Sequence, residues 1–253
     1  MDASRPTLPQ RVTAVLGTKQ RLVFFAIGLH TLDFIVPVIS AWLYRGAPIA
    51  DVLARARGAL ADAIAARSPL IAVLFVAYLL TTAWLRAGYI RSLIGRLHLR
   101  PLDVRQFLRL LGLELLLELL RLAAVGAVLL AGDDLLVADL AVIGLLLASF
   151  AVLYTDYIIV IANEGLGGAL LDSVRTVRAA FLPSTVVLIA VTLISQLAGG
   201  LLDGDVTGSL AQAAPMLLVR CVLMGAALFV ADVVLVIVYL DAVESGRLRA
   251  APR

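Results

Sequence analysis

Residues 213–241 read AAPMLLVRCVLMGAALFVADVVLVIVYLD, and only Arg220, Asp232 and Asp241 among them carry charge. A helix needs about 20 mostly apolar residues to cross the hydrocarbon core of a bilayer. The stretch is longer than that, and inside lipid its backbone polar groups can be paired only within a helix. It therefore predicts a transmembrane α-helix.

The rest of the 253-residue chain has the same character. Hydrophobic residues make up 62% of it and charged residues 15%, with a mean hydropathy of +1.03. Soluble domains average about 45–50% apolar and about 25% charged residues, so a soluble fold of this size could not cover its apolar surface. This hydrophobicity also excludes disorder, and a single cysteine, Cys221, excludes a disulfide scaffold. The chain is predicted to be an integral membrane protein.

Six stretches are long and apolar enough to span the bilayer. We predict an all-α polytopic membrane bundle with six transmembrane helices in a single membrane domain, 1–253, whose first helix is retained and not cleaved. Short amphipathic interfacial helices are predicted where apolar residues recur at helical spacing among charged ones. The predicted spans are 22–44, 69–90, 110–131, 135–161, 182–202 and 213–241, and the interfacial helices are 9–21, 48–67, 92–109 and 165–181.

The chain shows signs of a threefold repeat. Three basic interfacial segments each precede an outward and a returning helix, and the returning helices end in Tyr89-Ile90, Tyr157-Ile158 and Tyr239-Leu240. Tyrosine is favoured near the headgroups, where its ring stays apolar and its hydroxyl reaches water. We hypothesise three related hairpins. The alternative is that any six-helix protein ends its helices with aromatic and basic residues.

The basic residues predict the orientation. Fifteen of the 21 Lys and Arg residues, with Arg86 counted among them, flank the spans on one side and four on the other. The loops around Asp133 and Asp205 on the poorer side are acidic. Because cytoplasmic loops are enriched in Lys and Arg, both termini are predicted to be cytoplasmic.

Ionisable residues inside spans are costly and mark functional or clamping positions. Glu114, Glu118 and Arg121 share one helix face, which favours a self-neutralising clamp between helices over a polar track for a proton, cation or cationic substrate. His30 could hydrogen-bond to Asp33, which is typical of packing more often than of a proton relay. The candidates are His30, Asp33, Glu114, Glu118, Arg121, Asp156, Arg220 and Asp232.

The interfacial arginines predict contacts with anionic lipid of the inner leaflet. The candidates for binding lipid phosphate are Arg91, Arg96, Arg100, Arg175 and Arg178. These basic segments lack the interleaved aromatic residues of nucleic-acid interfaces, so no nucleic acid is expected. No catalytic motif, metal-ligand spacing or cofactor-binding motif occurs, and no enzyme activity, metal or cofactor is predicted.

One segment resembles a known family. It reads Asn163-Glu164-Gly165-Leu166-Gly167 and continues through Ala169, Asp172-Ser173, Arg175 and Arg178 to Phe181. It is similar to a recurring segment of six-helix bacterial and archaeal membrane proteins, which are related to the membrane domain of some glycerophosphodiester phosphodiesterases. The resemblance implies a prokaryotic plasma membrane protein. It transfers no catalytic residue, because activity in such enzymes resides in a separate soluble domain that this chain lacks.

Three functions are consistent with the sequence. The leading hypothesis is a non-enzymatic module that binds or moves a lipid-like or small amphiphilic solute, or a membrane partner subunit. The alternative is a secondary transporter or channel that uses Glu114, Glu118, Arg121 and Asp33. A lipid-modifying enzyme ranks last because the motifs are missing. Nothing in the sequence indicates a homo-oligomer or excludes one.

Overall fold

The computed structural model describes residues 6–32, 69–95, 104–131, 135–200 and 210–245. Within these ranges there are helices and no strand, so the all-α prediction is confirmed there. The predicted interfacial helix 48–67 and residues 33–44 of the first predicted span lie outside them. The described helices are α1 (Leu8–Lys19), α2 (Leu22–Leu32), α3 (Pro69–Leu93), α4 (Val104–Ala131), α5 (Leu135–Val152), α6 (Thr155–Ile161), α7 (Leu166–Ala179), α8 (Phe181–Gly200) and α9 (Leu210–Glu244).

Three described stretches of helix are long and apolar enough to cross a membrane: Ile143–Ile161, Phe181–Ala198 and Leu218–Glu244. A fourth is formed if α1 and α2 act as one broken span, although their axes meet at 86°. The chain is thus a membrane-embedded protein by the length and composition of its helices. The described residues establish three or four of the six predicted spans.

The predicted interfacial helix 92–109 is not a separate element in the described residues. Residues 104–109 are the first turns of α4, and residues 92–93 are the last of α3. The arginines of this segment interrupt its apolar pattern without ending a helix, because Arg is a good helix former. Basic residues therefore mark the ends of two long helices here.

The fourth predicted span, 135–161, is broken between α5 and α6. Tyr154 leaves the helical path at φ −108° and ψ 0°. Its backbone N–H donates to Ser173 Oγ of α7 at 3.0 Å, and its hydroxyl lies 2.8 Å from Ser184 Oγ of α8. Irregular backbone at membrane depth persists only where protein satisfies it. Here Ser173 of α7 satisfies the backbone of Tyr154, and Ser184 of α8 binds its side-chain hydroxyl.

The chain reverses after α6 through a turn that α4 stabilises. Asn163 has φ 56°, the left-handed conformation that often ends helices. Arg109 of α4 donates to the carbonyl oxygens of Asn163 and Glu164, at 2.7 and 3.0 Å. The turn leads directly into α7, whose buried residues include Ala169, Ser173 and Thr176.

All three returning helices contribute residues to the core. Tyr89 of α3, Tyr157 of α6 and Tyr239 of α9 are all buried within the protein. The tyrosine rings therefore pack on neighbouring helices within one core cluster. Their depth relative to the lipid headgroups stays a prediction. The three helices converge, but nothing here tests whether they are repeats.

Candidate functional site

A buried arginine joins the three returning helices. Arg86 of α3 donates from Nε to Asp156 Oδ2 at 2.8 Å. Its terminal nitrogens donate to both oxygens of Asp232 on α9, at 2.9 and 3.0 Å. This fork-on-fork geometry is the strongest arrangement available to an arginine and a carboxylate. We call Arg86, Asp156, Tyr157 and Asp232 the charge centre.

Tyrosines complete the charge centre. The Tyr157 hydroxyl donates to Asp232 Oδ1, and the Tyr157 backbone N–H donates to Asp156 Oδ1 at 2.8 Å. The guanidinium carbon of Arg86 lies 5.4 Å from the ring centroid of Tyr89 and 5.6 Å from that of Tyr157. Both distances fall within the range of cation–π attraction. The arginine is thus held by two carboxylates and two aromatic rings.

The charges of the centre do not balance. One guanidinium faces two carboxylates, which leaves a single negative charge when both are ionised. The side chains of Arg86, Asp156 and Asp232 are only 23%, 16% and 7% exposed. An uncompensated charge in a buried site is costly, so the centre favours one additional positive charge.

No family model, curated protein or solved structure matches this chain. The resemblance of residues 163–181 to the membrane domain of glycerophosphodiester phosphodiesterases thus stays a hypothesis. Function has to be inferred from the charge centre and its surroundings.

Sequence reasoning found two of the three charged members of the charge centre and missed the other. Asp156 and Asp232 were predicted as intramembrane candidates, and the structure brings them together. Arg86 was counted with the cytoplasmic bases and not among the intramembrane candidates, but it is half-buried in the charge centre, seven residues before the end of α3. Its position inside the predicted span 69–90 was the available signal.

The other intramembrane candidates lie elsewhere in the fold. His30 of α2 is half-buried, and its Nε2 has no hydrogen-bond partner among the described residues. Arg220 lies twelve residues before Asp232 on α9, about 18 Å along the axis. Glu118 of α4 is buried and Glu114 is half-buried. Asp33 and the side chain of Arg121 lie outside the described residues, so the predicted clamp is untested.

The lipid-phosphate candidates differ in their surroundings. Arg91 donates to Gln106 Oε1 of α4, and Arg175 pairs with Asp172 one turn earlier on α7, at 2.6 Å. Arg178 is exposed and makes no ion pair within the described part of the chain. Arg96 and Arg100 fall in the stretch between α3 and α4 that the structure does not describe.

An apolar groove runs between α3 and α4. Its volume is about 490 Å³, and its described lining is Leu80, Thr81, Trp84 and Phe107. Leu80, Trp84 and Arg91 fall on one face of α3 by helical spacing. The groove therefore leads toward the guanidinium of Arg91 at one end. No three His, Cys, Asp or Glu side chains of the described residues come together as a metal site.

Proposed function

We propose that this chain binds or moves a small amphiphilic solute across a prokaryotic plasma membrane. It does so as a six-span protein with cytoplasmic termini, anionic inner-leaflet lipid around it, and the charge centre as its polar site. The arrangement of the centre favours a solute with a positively charged head. Arg86 is thereby added to the predicted candidates, and Asp156 and Asp232 become the leading ones.

The observation that carries this proposal is the break at Tyr154. An uninterrupted span would not need Ser173 to accept a hydrogen bond from the backbone N–H of Tyr154. Here Ser173 does so, and the second half-helix begins one residue before Asp156. Interrupted helices in membrane proteins typically line a cavity or a binding site. A purely structural bundle has no need to pair a helix break with a buried charge imbalance.

The solute class follows from charge and surface. The net negative charge and the faces of Tyr89 and Tyr157 favour an organic cation. By helical spacing Trp84 lies about 200° around α3 from Arg86, so the groove along Leu80, Trp84 and Phe107 opens on another face of the helix and does not extend this site. The positively charged head of an amphiphile satisfies both the charge and the aromatic faces.

Tetraphenylphosphonium and tetraphenylborate test this proposal because they share shape and size and differ in the sign of their charge. We expect the cation to raise the Tm of the full chain in nanodiscs at submillimolar concentration, and the anion to have no such effect. Stabilisation by a ligand that binds only the folded state grows with its concentration. The measurement is thermal unfolding across a titration of each ion.

The matched variants are Asp232→Asn, inside the charge centre, and Asp241→Asn, on the same helix but paired with Arg11 at its end. Asp232→Asn should abolish the difference in Tm shift between the two ions, and Asp241→Asn should retain it. Equal shifts by both ions in the unmodified chain would show nonspecific partitioning and refute the proposal.

A further inference from the structure

We infer that the charge centre binds one exchangeable monovalent cation, H⁺ or Na⁺, when no solute occupies it. The inference rests on the proposed function for its consequence, which is exchange of an inorganic cation for a cationic solute. The binding itself is testable with no organic solute present. A failure of the inorganic cation to bind can therefore be told apart from a failure of the proposed solute binding.

The first argument is the inventory of charges. The titratable or charged groups that face the centre are Arg86 and Tyr89 from α3, Asp156 and Tyr157 from α6, and Asp232 from α9. Among them the tyrosines are neutral at ordinary pH and Arg86 is always charged. With both carboxylates ionised, the described neighbours of the centre supply no second positive charge. A proton on one carboxylate, or a bound cation, balances the site.

The second argument is a set of buried hydroxyls without hydrogen bonds. Thr82, Tyr89 and Thr155 are at most 5% exposed, and their hydroxyl oxygens have no hydrogen-bond partner among the described residues. Of the three, Tyr89 lies at the charge centre, with its ring centroid 5.4 Å from the guanidinium carbon of Arg86. The Tyr89 hydroxyl is close enough to Asp232 to interact with that carboxylate electrostatically.

Buried hydroxyls without partners are rare in folded proteins and require an explanation. Oxygen atoms of carboxylates and hydroxyls are the ligands that hard cations prefer. The same oxygens can hydrogen-bond to a carboxylic acid or to a hydrated proton. The unpartnered Tyr89 hydroxyl beside Asp232, together with two carboxylates that share one arginine, thus points to a missing positively charged ligand.

The third argument is access. Arg86 and Asp156 are 23% and 16% exposed, whereas Tyr157 is 1% exposed. The centre thus reaches the surface on one side and is sealed on the other. Asp156 also lies next to the helix break, where backbone motion does not require unfolding a continuous helix. Both features favour exchange of the ligand.

The experiment measures, with no organic solute, the Tm in nanodiscs of the full chain carrying Glu164→Gln, because burial raises the pKa of the Glu164 carboxyl and would add a pH dependence of its own. Conditions run from about pH 5 to 9, in NaCl or in choline chloride at equal ionic strength. We expect the Tm to rise with acidification, with Na⁺, or with both. A rise with acid alone identifies H⁺, and a rise with Na⁺ at alkaline pH identifies Na⁺, because either ligand stabilises the folded state by mass action.

Asp156→Asn neutralises the centre and should remove that dependence, whereas the control Asp241→Asn should keep it. An identical dependence in Asp156→Asn would place the effect elsewhere and overturn the inference. A Tm that changes with neither H⁺ nor Na⁺ while Asp156 is intact would also overturn the inference.

A second measurement covers the case in which Asp156→Asn fails to fold. Infrared difference spectra of the unmodified chain, taken between acid and alkaline buffer, should show a carboxylic acid band that Na⁺ diminishes. Loss of this band in Asp232→Asn would assign it to the charge centre. Absence of a band together with no Na⁺-dependent spectral change refutes the inference without any variant.

Discussion

Arg86 shows at the residue scale why burial inside a membrane domain depends on partners. Its three guanidinium nitrogens all donate, and its acceptors come from two other helices. A lysine has the same charge but lacks the planar fork. An arginine in a span is thus tolerable when two carboxylates are placed to receive it. That condition depends on residues 70 and 146 positions away along the chain.

A second single-residue effect concerns the helix break. Replacing Ser173 with alanine should leave the buried N–H of Tyr154 without its acceptor. An unsatisfied buried polar group costs about 1–3 kcal/mol, so Ser173→Ala should lower the free energy of unfolding by that amount. Thr185→Ala is the control, because Thr185 only bonds back to Phe181 of its own helix. Equal losses in the two variants, measured by thermal or denaturant unfolding, would contradict the bracing role of Ser173.

Glu164 should give the folded chain a pH-dependent stability. Burial raises the pKa of the Glu164 carboxyl above its ordinary value of 4.5, and the carboxylate of Asp172 raises it further. A folded state with a raised carboxyl pKa binds its proton more tightly than the unfolded chain does. The stabilisation is therefore present below the ordinary pKa and is lost as the pH rises through the folded value.

Glu164→Gln should consequently flatten this part of the dependence of Tm on pH and raise the Tm at neutral pH relative to the parent chain. Glu244→Gln, at the exposed end of α9, is the control and should leave the profile unchanged. A neutral-pH Tm that falls in Glu164→Gln would show that the charged carboxylate is stabilising instead.

At the scale of elements, α2 and α9 cross at unusually short range. A Cβ atom added to Gly225 would lie 2.8 Å from the backbone nitrogen of Ile27 and closer still to its Cα. Small residues permit such close approach between membrane helices. Because the obstacle is backbone and not a flexible side chain, the helices would have to separate.

Gly225→Ala should therefore destabilise the fold by about 1–3 kcal/mol, the usual range for overpacking. Gly144→Ala in α5 meets nothing within 4 Å and should be neutral or stabilising, since alanine is the better helix former. The measurement is the unfolding of both variants in the same detergent. Equal stability of the two would refute the close crossing.

The α7 helix should interact with anionic lipid mainly through Arg178. Arg175 is paired with Asp172, whereas Arg178 makes no ion pair within the described residues. A base near an anionic surface contributes about 1 kcal/mol, a factor of about five in affinity. Arg178→Gln should lose that factor for phosphatidylglycerol, and Arg175→Gln less. Native mass spectrometry at low salt can compare them, and an Arg175→Gln loss larger than that of Arg178→Gln would contradict this assignment.

At the scale of the whole molecule, the distribution of bases predicts which side of the membrane each loop faces. In a Cys221→Ala background, single cysteines at positions 133 and 205 should react with an impermeant external reagent. Cysteines at positions 96 and 175 should react only after permeabilisation, because positively charged segments stay cytoplasmic. Labelling of position 96 from outside intact cells would reverse the orientation.

The amino-acid sequence by itself determined the class of protein, the helical secondary structure and the approximate helix bounds. Residues 213–241 illustrate why: a long apolar run in lipid can satisfy its backbone only as a helix, whatever surrounds it. The amphipathic pattern of 165–181 likewise predicted α7, which spans Leu166–Ala179. Asp156 and Asp232 were recognisable because charge in a span is costly wherever it occurs.

Only the tertiary structure decided which residues meet. Tyr154 breaks its helix although nothing in residues 135–161 predicts a break, because the acceptor that satisfies its backbone N–H, Ser173, belongs to α7. The tyrosines that end the returning helices are covered by protein because all three belong to one core cluster. Arg86 was not recognised as a member of the charge centre because its partners lie on two other helices. A charge is stable in the interior only beside its partners, and local sequence does not record contacts that the chain makes at long range.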